Sequence, residues 1–319
     1  MSIISWYQEV MANPKARVAA LSVASNTILV AGKFVTGLLT GSIGIIAEAI
    51  HSSIDLVAAI IAFASVRISG RPPDDDHQYG HGKAENIAGS VEAVLIFVAA
   101  FMILDQAINR IISGGEVENA GLGVIVMAVA TAVNLIVSQI LLKAGNRLES
   151  VALEADGMHL RTDVYTSIGV LVGMAAIWMT GINIIDPIIA IAVGLFIIHA
   201  AYEIFVKSFK PLMDSSLSPE EEEEITIAIN TADIKGLVGF HELRTRRSGS
   251  DRYVDMHLVV RSDMSITEVH AICDQVEEQV NACLPSIDVL VHAEPCTEQD
   301  CIDCKGCERI NPELSGNYL

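Results

Sequence analysis

Six apolar runs dominate the first two-thirds of the chain, at about residues 17–39, 43–67, 84–112, 119–143, 152–180 and 185–209. Each is long enough to cross a bilayer core, which takes ~20 apolar residues as a helix. The connections 39–42 (LTGS) and 180–184 (TGINI) are short and uncharged, and 113–118 (SGGEVE) is acidic. Lys15, Arg17, Arg67, Arg71, Lys83, Lys143, Arg147, Lys207 and Lys210 gather at the opposite ends of the runs. Lysine and arginine mark cytoplasmic loops, so an even number of spans puts both termini in the cytoplasm. The pattern predicts an all-α unit of six transmembrane helices over residues 1–214.

After Pro211 the period changes. Ser218-Pro219-Glu220 reads as a helix start, with a serine cap, a proline at the first position and five glutamates facing the positive end of the helix dipole. Residues 237–246 and 251–260 alternate as strands, with Ser248-Gly249 as the turn between them. Residues 265–283 read as a helix and 286–293 as a last strand. The order αββαβ predicts a small α+β domain over 215–295, with helices on one face of a sheet. The tail, 296–319, has little apolar content and is expected to be disordered unless a metal orders it.

Composition supports this division. The 319-residue chain is 51% hydrophobic and 18% charged, with net charge −19. Residues 215–319 hold 8 Lys+Arg against 21 Asp+Glu, so they carry −13 of that total. An acidic domain argues against nucleic acid as a partner. It suits a domain that gathers cations, and it equally suits plain solubility. All six cysteines lie in this portion: Cys273, Cys283, Cys296, Cys301, Cys304 and Cys307. In the cytoplasm they are expected to be reduced thiols, free to ligate metal. The N-terminus has no short apolar core followed by a small-residue cleavage site, so no removable signal peptide is expected.

The second apolar run contains Glu48-Ala-Ile-His51-Ser-Ser-Ile-Asp55, and the fifth contains Asp156-Gly-Met-His159-Leu-Arg-Thr-Asp163. Residues four apart share a helix face. Two such faces brought together supply two imidazoles and two carboxylates, a tetrahedral set suited to zinc and lacking the sulfur that copper(I) prefers. A His–Asp pair can instead join helices by hydrogen bonds. Its repetition at one spacing on two spans, where ionisable groups are costly, favours a metal site. Glu48 and Asp156 fall on the same faces as vestibule groups, or, for Asp156, as an acid in a first helical turn.

Two further clusters carry candidate ligands. In the loop after the second run, Asp74, His77 and His81 can converge because Gly80 permits a tight fold; a solvated polar loop is the alternative. In the soluble domain, His241, His257, His270 and His292 are joined by Glu294, two residues past His292 and so on the same strand face. The tail spacing Cys296-x4-Cys301-x2-Cys304-x2-Cys307 is similar to thiolate metal sites without matching the common zinc or iron–sulfur spacings.

Taken with Gly41-Ser42, Glu48, His51 and Asp55, with His81-Gly82-Lys83-Ala84-Glu85, with His159-x3-Asp163 and with His241-Glu242-Leu243-Arg244-Thr245-Arg246, the chain resembles the cation diffusion facilitator family from about residue 15 to Cys296. It is similar to bacterial zinc/iron exporters that carry a ferredoxin-like cytoplasmic domain. The resemblance implies a homodimer that exchanges a metal ion for protons. It implies a transport site of His51, Asp55, His159 and Asp163, a loop site of Asp74, His77 and His81, and a two-metal cytoplasmic site of His241, His257, His270, His292 and Glu294. His51 stands where many close relatives carry aspartate, and the doubled His-x3-Asp pattern resembles dedicated zinc members. Glu294 stands where a shorter aspartate is usual, which places the second cytoplasmic ion in question.

The expected function is therefore a Zn2+/H+ antiporter of the inner or plasma membrane, embedded in the lipid bilayer. It exports zinc from the cytoplasm by alternating access, with zinc both cargo and regulator. Other divalent transition metals such as iron, cadmium or cobalt are the alternative cargo, and a non-transporting membrane metal sensor is the alternative class. No His-Glu-x-x-His protease motif is present, so catalysis is not expected.

Overall fold

The computed structural model describes residues 13–40, 43–113, 121–180 and 185–297. It divides into two compact units, Met1–Met213 and Asp214–Leu319. The first is helical: α1 (Pro14–Thr40), α2 (Ile43–Ser69), α3 (Lys83–Ser113), α4 (Gly121–Leu148), α5 (Val151–Thr180) and α6 (Ile185–Phe209). A single 3₁₀ turn, Lys210–Met213, closes it.

Among the described residues, five segments are long and apolar enough to cross a membrane: Pro14–Leu39, Ser52–Ser69, Lys83–Asn109, Met127–Leu148 and Pro187–Met213. Helix α5 is not among them. Most side chains of its second half lie outside the described residues. The outward faces of the others are apolar, with Ile28, Leu38, Ile50, Val98 and Phe101 all more than half exposed. Such surface suits lipid, because a helix satisfies its own backbone hydrogen bonds and needs no water.

Small residues bring the helices together. Ala16 and Ala19 of α1, Ala88 of α3 and Ala152 of α5 are buried with Val66, Val137, Leu141, Leu153 and Leu160 in one core. At Gly157 a Cβ would come within 2.9 Å of Leu142 Cγ, so α5 lies close against α4 just before His159.

Two buried glutamates in this packing have cationic partners. Glu85 is fully buried at the start of α3. It accepts from Lys15 Nζ of α1 at 2.9 Å, from Ser69 Oγ of α2 at 2.8 Å and from Ser150 Oγ, which precedes α5. One carboxylate thus ties four segments at one end of the unit. Lys207 of α6 likewise pairs with Glu154 of α5.

The second unit contains α7 (Pro219–Thr231), β1 (Leu237–Ser248), β2 (Asp251–Val260), α8 (Ile266–Cys283) and β3 (Ile287–Pro295). Both helices begin with capping boxes, Ser218 with Glu221 and Ser265 with Glu268. Each box satisfies backbone amides that the helix itself leaves unpaired. The sheet order is β1-β2-β3. The β1–β2 hairpin is antiparallel, turning at Gly249 with φ +61°, and β2 pairs parallel with β3 across the α8 connection.

Strand alternation directs Val254, Met256 and Leu258 of β2 into a core with Ile225 and Ile229 of α7 and Val276 and Val280 of α8. The intervening residues, Asp255 and His257 among them, face the other side of the sheet. Arg252, almost fully buried, donates to Glu221 at 2.9 Å and to the Pro285 carbonyl at 2.8 Å. It joins α7 to the sheet.

Replacing Glu85 with alanine strands Lys15 and two serines. The expected cost is about 3 kcal/mol, the low end for breaking a buried ion pair, because Lys15 keeps some exposure. Thermal unfolding of the full chain in detergent checks this. An unchanged melting temperature contradicts the central role given to Glu85.

Candidate metal sites

Within the helical unit, Asp55 of α2 and His159 and Asp163 of α5 each turn one ligand atom into a common space. These atoms lie within 4.8 Å of one another. Asp55 is 6% exposed and His159 7%. His159 Nε2 stands 3.2 Å from Asp55 Oδ1. His51 lies one turn before Asp55 on α2, and its side chain is outside the described residues, as is that of Glu48.

Beside this triad is a cavity of ≈ 140 Å³, lined by Asp55, Asp163, Lys33, Ser52, Thr131 and Asn134 among others. Lys33 of α1 is almost wholly buried and donates to Ser52 Oγ at 2.6 Å. A positive charge is thereby built into the wall of a cavity that also holds two acids. The sequence reading missed Lys33, although a lone lysine in the middle of an apolar span is itself a signal of function.

In the loop, the Asp74 carboxylate accepts from the backbone amides of Asp76 and His77 at 3.1 and 2.7 Å. Its two oxygens lie 3.4 Å from His77 Nδ1 and 3.3 Å from His81 Nε2. The imidazoles are 4.5 Å apart between centroids, and Gly80 bends the chain with φ +76°. The His77 amide is the main cause that holds the Asp74 carboxyl below its ordinary value. It is therefore a carboxylate at neutral pH, with two imidazoles beside it. Asp74, His77 and His81 form a three-donor group.

In the second unit, sheet register places three histidines in one row. His241 pairs with His257 across β1 and β2, and His257 pairs with His292 across β2 and β3. Glu294 reaches back over the row. Its carboxylate oxygens lie 3.2 Å from His241 Nε2, 2.9 Å from His257 Nδ1 and 3.6 Å from His292 Nε2. His241, His257 and Glu294 form the compact donor group. His270 stands apart on α8, largely exposed, 3.8 Å from Asp274.

Glu242, absent from the expected ligands, comes within 3.9 Å of His257 Nε2. A register irregularity between His241 and Arg244 and a φ of +49° bring it there. Partial desolvation opposes ionisation of Glu294, but the hydrogen bonds and charges of His257 and His241 prevail and hold its carboxyl below the ordinary value.

The cysteines divide. Burial pushes up the thiols of Cys273 and Cys283, which pack against the core of the sheet domain. Cys296 is buried against Val259. Cys301, Cys304 and Cys307 lie outside the described residues.

Residues 19–213 match the family model for the cation efflux transmembrane domain, and residues 217–296 match that for the cation efflux protein cytoplasmic domain. An uncharacterized transporter of Synechocystis is 35% identical over 277 residues, covering 87% of this chain and 89% of that protein. The cation-efflux pump FieF of Escherichia coli K12 is 31% identical over 283 residues, covering 89% and 93%. A solved CzrB chain in its zinc form is 34% identical and covers 27% of this chain and 96% of that one, with TM-score 0.25. The chain belongs to the cation efflux, or cation diffusion facilitator, family of integral membrane transporters.

The carboxylate of Glu294 spans two histidines, so its removal should weaken metal binding in this group. Glu294→Gln in the full chain is expected to raise the zinc dissociation constant of this site about tenfold, in the range seen when a partner of a ligand is lost. Acidification should weaken the intact site too, because imidazole must be neutral to ligate. Glu294, with its lowered value, remains ionised until the pH falls through that value. Zinc titration at several pH values checks both expectations. Equal affinity in the two proteins contradicts the first.

Proposed function

We propose that this chain is a zinc exporter of the cytoplasmic or inner membrane that exchanges zinc for protons. In this reading α5 is a sixth span, both termini are cytoplasmic and the ferredoxin-like domain joins two protomers. The observation that carries the proposal is the buried group of Asp55, His159 and Asp163 beside a polar cavity, inside a unit whose other outward surfaces are apolar. His51 is the fourth ligand. Nitrogen and carboxylate oxygen in a tetrahedral set suit zinc.

Charge balance gives the mechanism its direction. Two carboxylates and two neutral imidazoles hold a charge of minus two, which one divalent ion neutralises. The same residues can instead take protons, so metal and protons compete for one set of atoms. Facing the cytoplasm, the site loses protons and takes up zinc. Facing outward, it meets a higher proton concentration, is protonated and releases the ion. Lys33 offsets part of the negative charge and keeps the metal from being held too tightly to leave. The loop group of Asp74, His77 and His81 captures the ion at the cytoplasmic mouth. The histidine row with Glu294, and His270 with it, responds to cytoplasmic zinc and favours the dimer.

Vesicles containing the purified protein and a zinc-sensitive dye test this reading. Zinc uptake is expected to rise when the lumen is acid relative to the bath and to fall when the gradient is collapsed with an ionophore. Iron, cobalt and cadmium offered in its place rank the cargo. Zinc uptake that ignores the gradient contradicts the exchange.

A further inference from the structure

Strand β1 carries one residue more than its partner needs. From His241 to Arg244 it takes three steps, while β2 takes two from His257 to Asp255. An extra residue of this kind bends the strand and re-aims a side chain. Strict alternation would turn Glu242 toward the core, on the face opposite His241. Instead Leu243 packs against the core, and Glu242 stands half-exposed beside the histidine row.

The backbone at this point is strained. Glu242 has φ +49°, in the left-handed region, where a side chain crowds its own backbone. Glycine or asparagine would sit there with less strain. Strain that the surrounding fold maintains beside a candidate site points to a use for the side chain. The Arg244 guanidinium steadies it, donating to Glu242 Oε2 at 2.9 Å.

The imidazole of His257 lies between two carboxylates. Its Nδ1 is 2.9 Å from Glu294 Oε1, and its Nε2 is 3.9 Å from Glu242 Oε2. Glu294 also approaches His241 Nε2 at 3.2 Å, so the Nδ1 edge of His257 faces the compact donor group. A neutral imidazole carries one N–H and one lone pair. If Nδ1 gives its lone pair to a metal, the proton sits on Nε2, the edge turned to Glu242. Ligating histidines commonly donate this second N–H to a carboxylate, which fixes the tautomer and the ring orientation. The 3.9 Å gap exceeds a hydrogen bond, and the half-exposed Glu242 side chain has the torsional freedom to close it.

We propose that Glu242 is a positioning residue for the histidine row. It accepts the Nε2–H of His257 and so presents Nδ1 to a zinc ion shared with Glu294 and His241. The extra residue in β1 aims the carboxylate, and Arg244 steadies it. The proposal rests on the reading of the row as a zinc site.

Glu242→Gly in the full chain is the central variant, because glycine accepts φ +49° and only the carboxylate is lost. Its melting temperature in detergent is expected to match or exceed that of the intact chain. Its zinc dissociation constant at the row is expected to rise about tenfold. Glu242→Gln keeps an acceptor oxygen at the same reach and should restore most of the affinity. Binding at the row is the part of zinc binding lost in His257→Gln. Zinc binding that ignores His257→Gln overturns the reading of the row and the proposal together. Binding that needs His257 but ignores Glu242→Gly overturns the proposal alone. If Glu242→Gly does not fold, Glu242→Asn tolerates the same backbone, is too short to reach His257, and must show the same loss.

Nitrogen NMR of the full chain carrying isotope-labelled histidine reads the ring itself, with His257 assigned by its absence from His257→Gln. In the zinc-loaded protein His257 is expected to bind through Nδ1 and to hold its proton on Nε2. That N–H signal should shift in Glu242→Gly and much less in Glu242→Gln. A zinc-loaded His257 with its proton on Nδ1 overturns the proposal, as does an Nε2–H signal that Glu242→Gly leaves in place.

Discussion

Removing a charged side chain from water is costly, and the helical unit is organised around that cost. Glu85 is tolerable at the start of α3 because Lys15, Ser69 and Ser150 converge on it. Glu154 is tolerable because Lys207 reaches it. Those contacts also fix where α1, α2, α3, α5 and α6 stand, so paired charge serves as the fastener of an otherwise apolar bundle. At the triad the same cost is left partly unrelieved. Asp55, His159 and Asp163 face one another with Lys33 and Ser52 nearby. A divalent cation or protons complete the neutralisation, and in the proposed mechanism those are the two species exchanged.

The cytoplasmic-type domain uses a different device. Its core side is ordinary sheet and helix packing, with Val254, Met256 and Leu258 beneath α7 and α8. Because strand side chains alternate, securing that face also fixes the opposite one. The row His241–His257–His292 follows from sheet register, and Glu294 reaches it from two residues further along β3. Donor geometry here is a by-product of how the domain folds, so it can form without any contribution from the membrane.

Much of this was legible in the sequence. Apolar runs and cap residues located the helices and strands to within a few residues, because length, period and capping are local properties. The paired His-x3-Asp pattern located Asp55, His159 and Asp163 through helix periodicity, and Gly80 marked the loop that gathers Asp74, His77 and His81. What escaped was tertiary. Glu242 reaches His257 through a backbone irregularity with no local signature. Glu92 reads as one more polar residue until the fold shows it buried, with no hydrogen bond to its carboxyl among the described residues. Position on α8 leaves His270 away from the row within one chain, a separation that residue type cannot reveal.

The central claim is that cargo passes through the site between α2 and α5. The most direct measurement compares zinc uptake by vesicles containing the intact protein with uptake by vesicles containing Asp55→Ala/Asp163→Ala, at equal amounts of folded protein. The account predicts uptake by the intact protein and none above protein-free vesicles for the double variant, with zinc still binding to the histidine row. Equal uptake by the two proteins would contradict it.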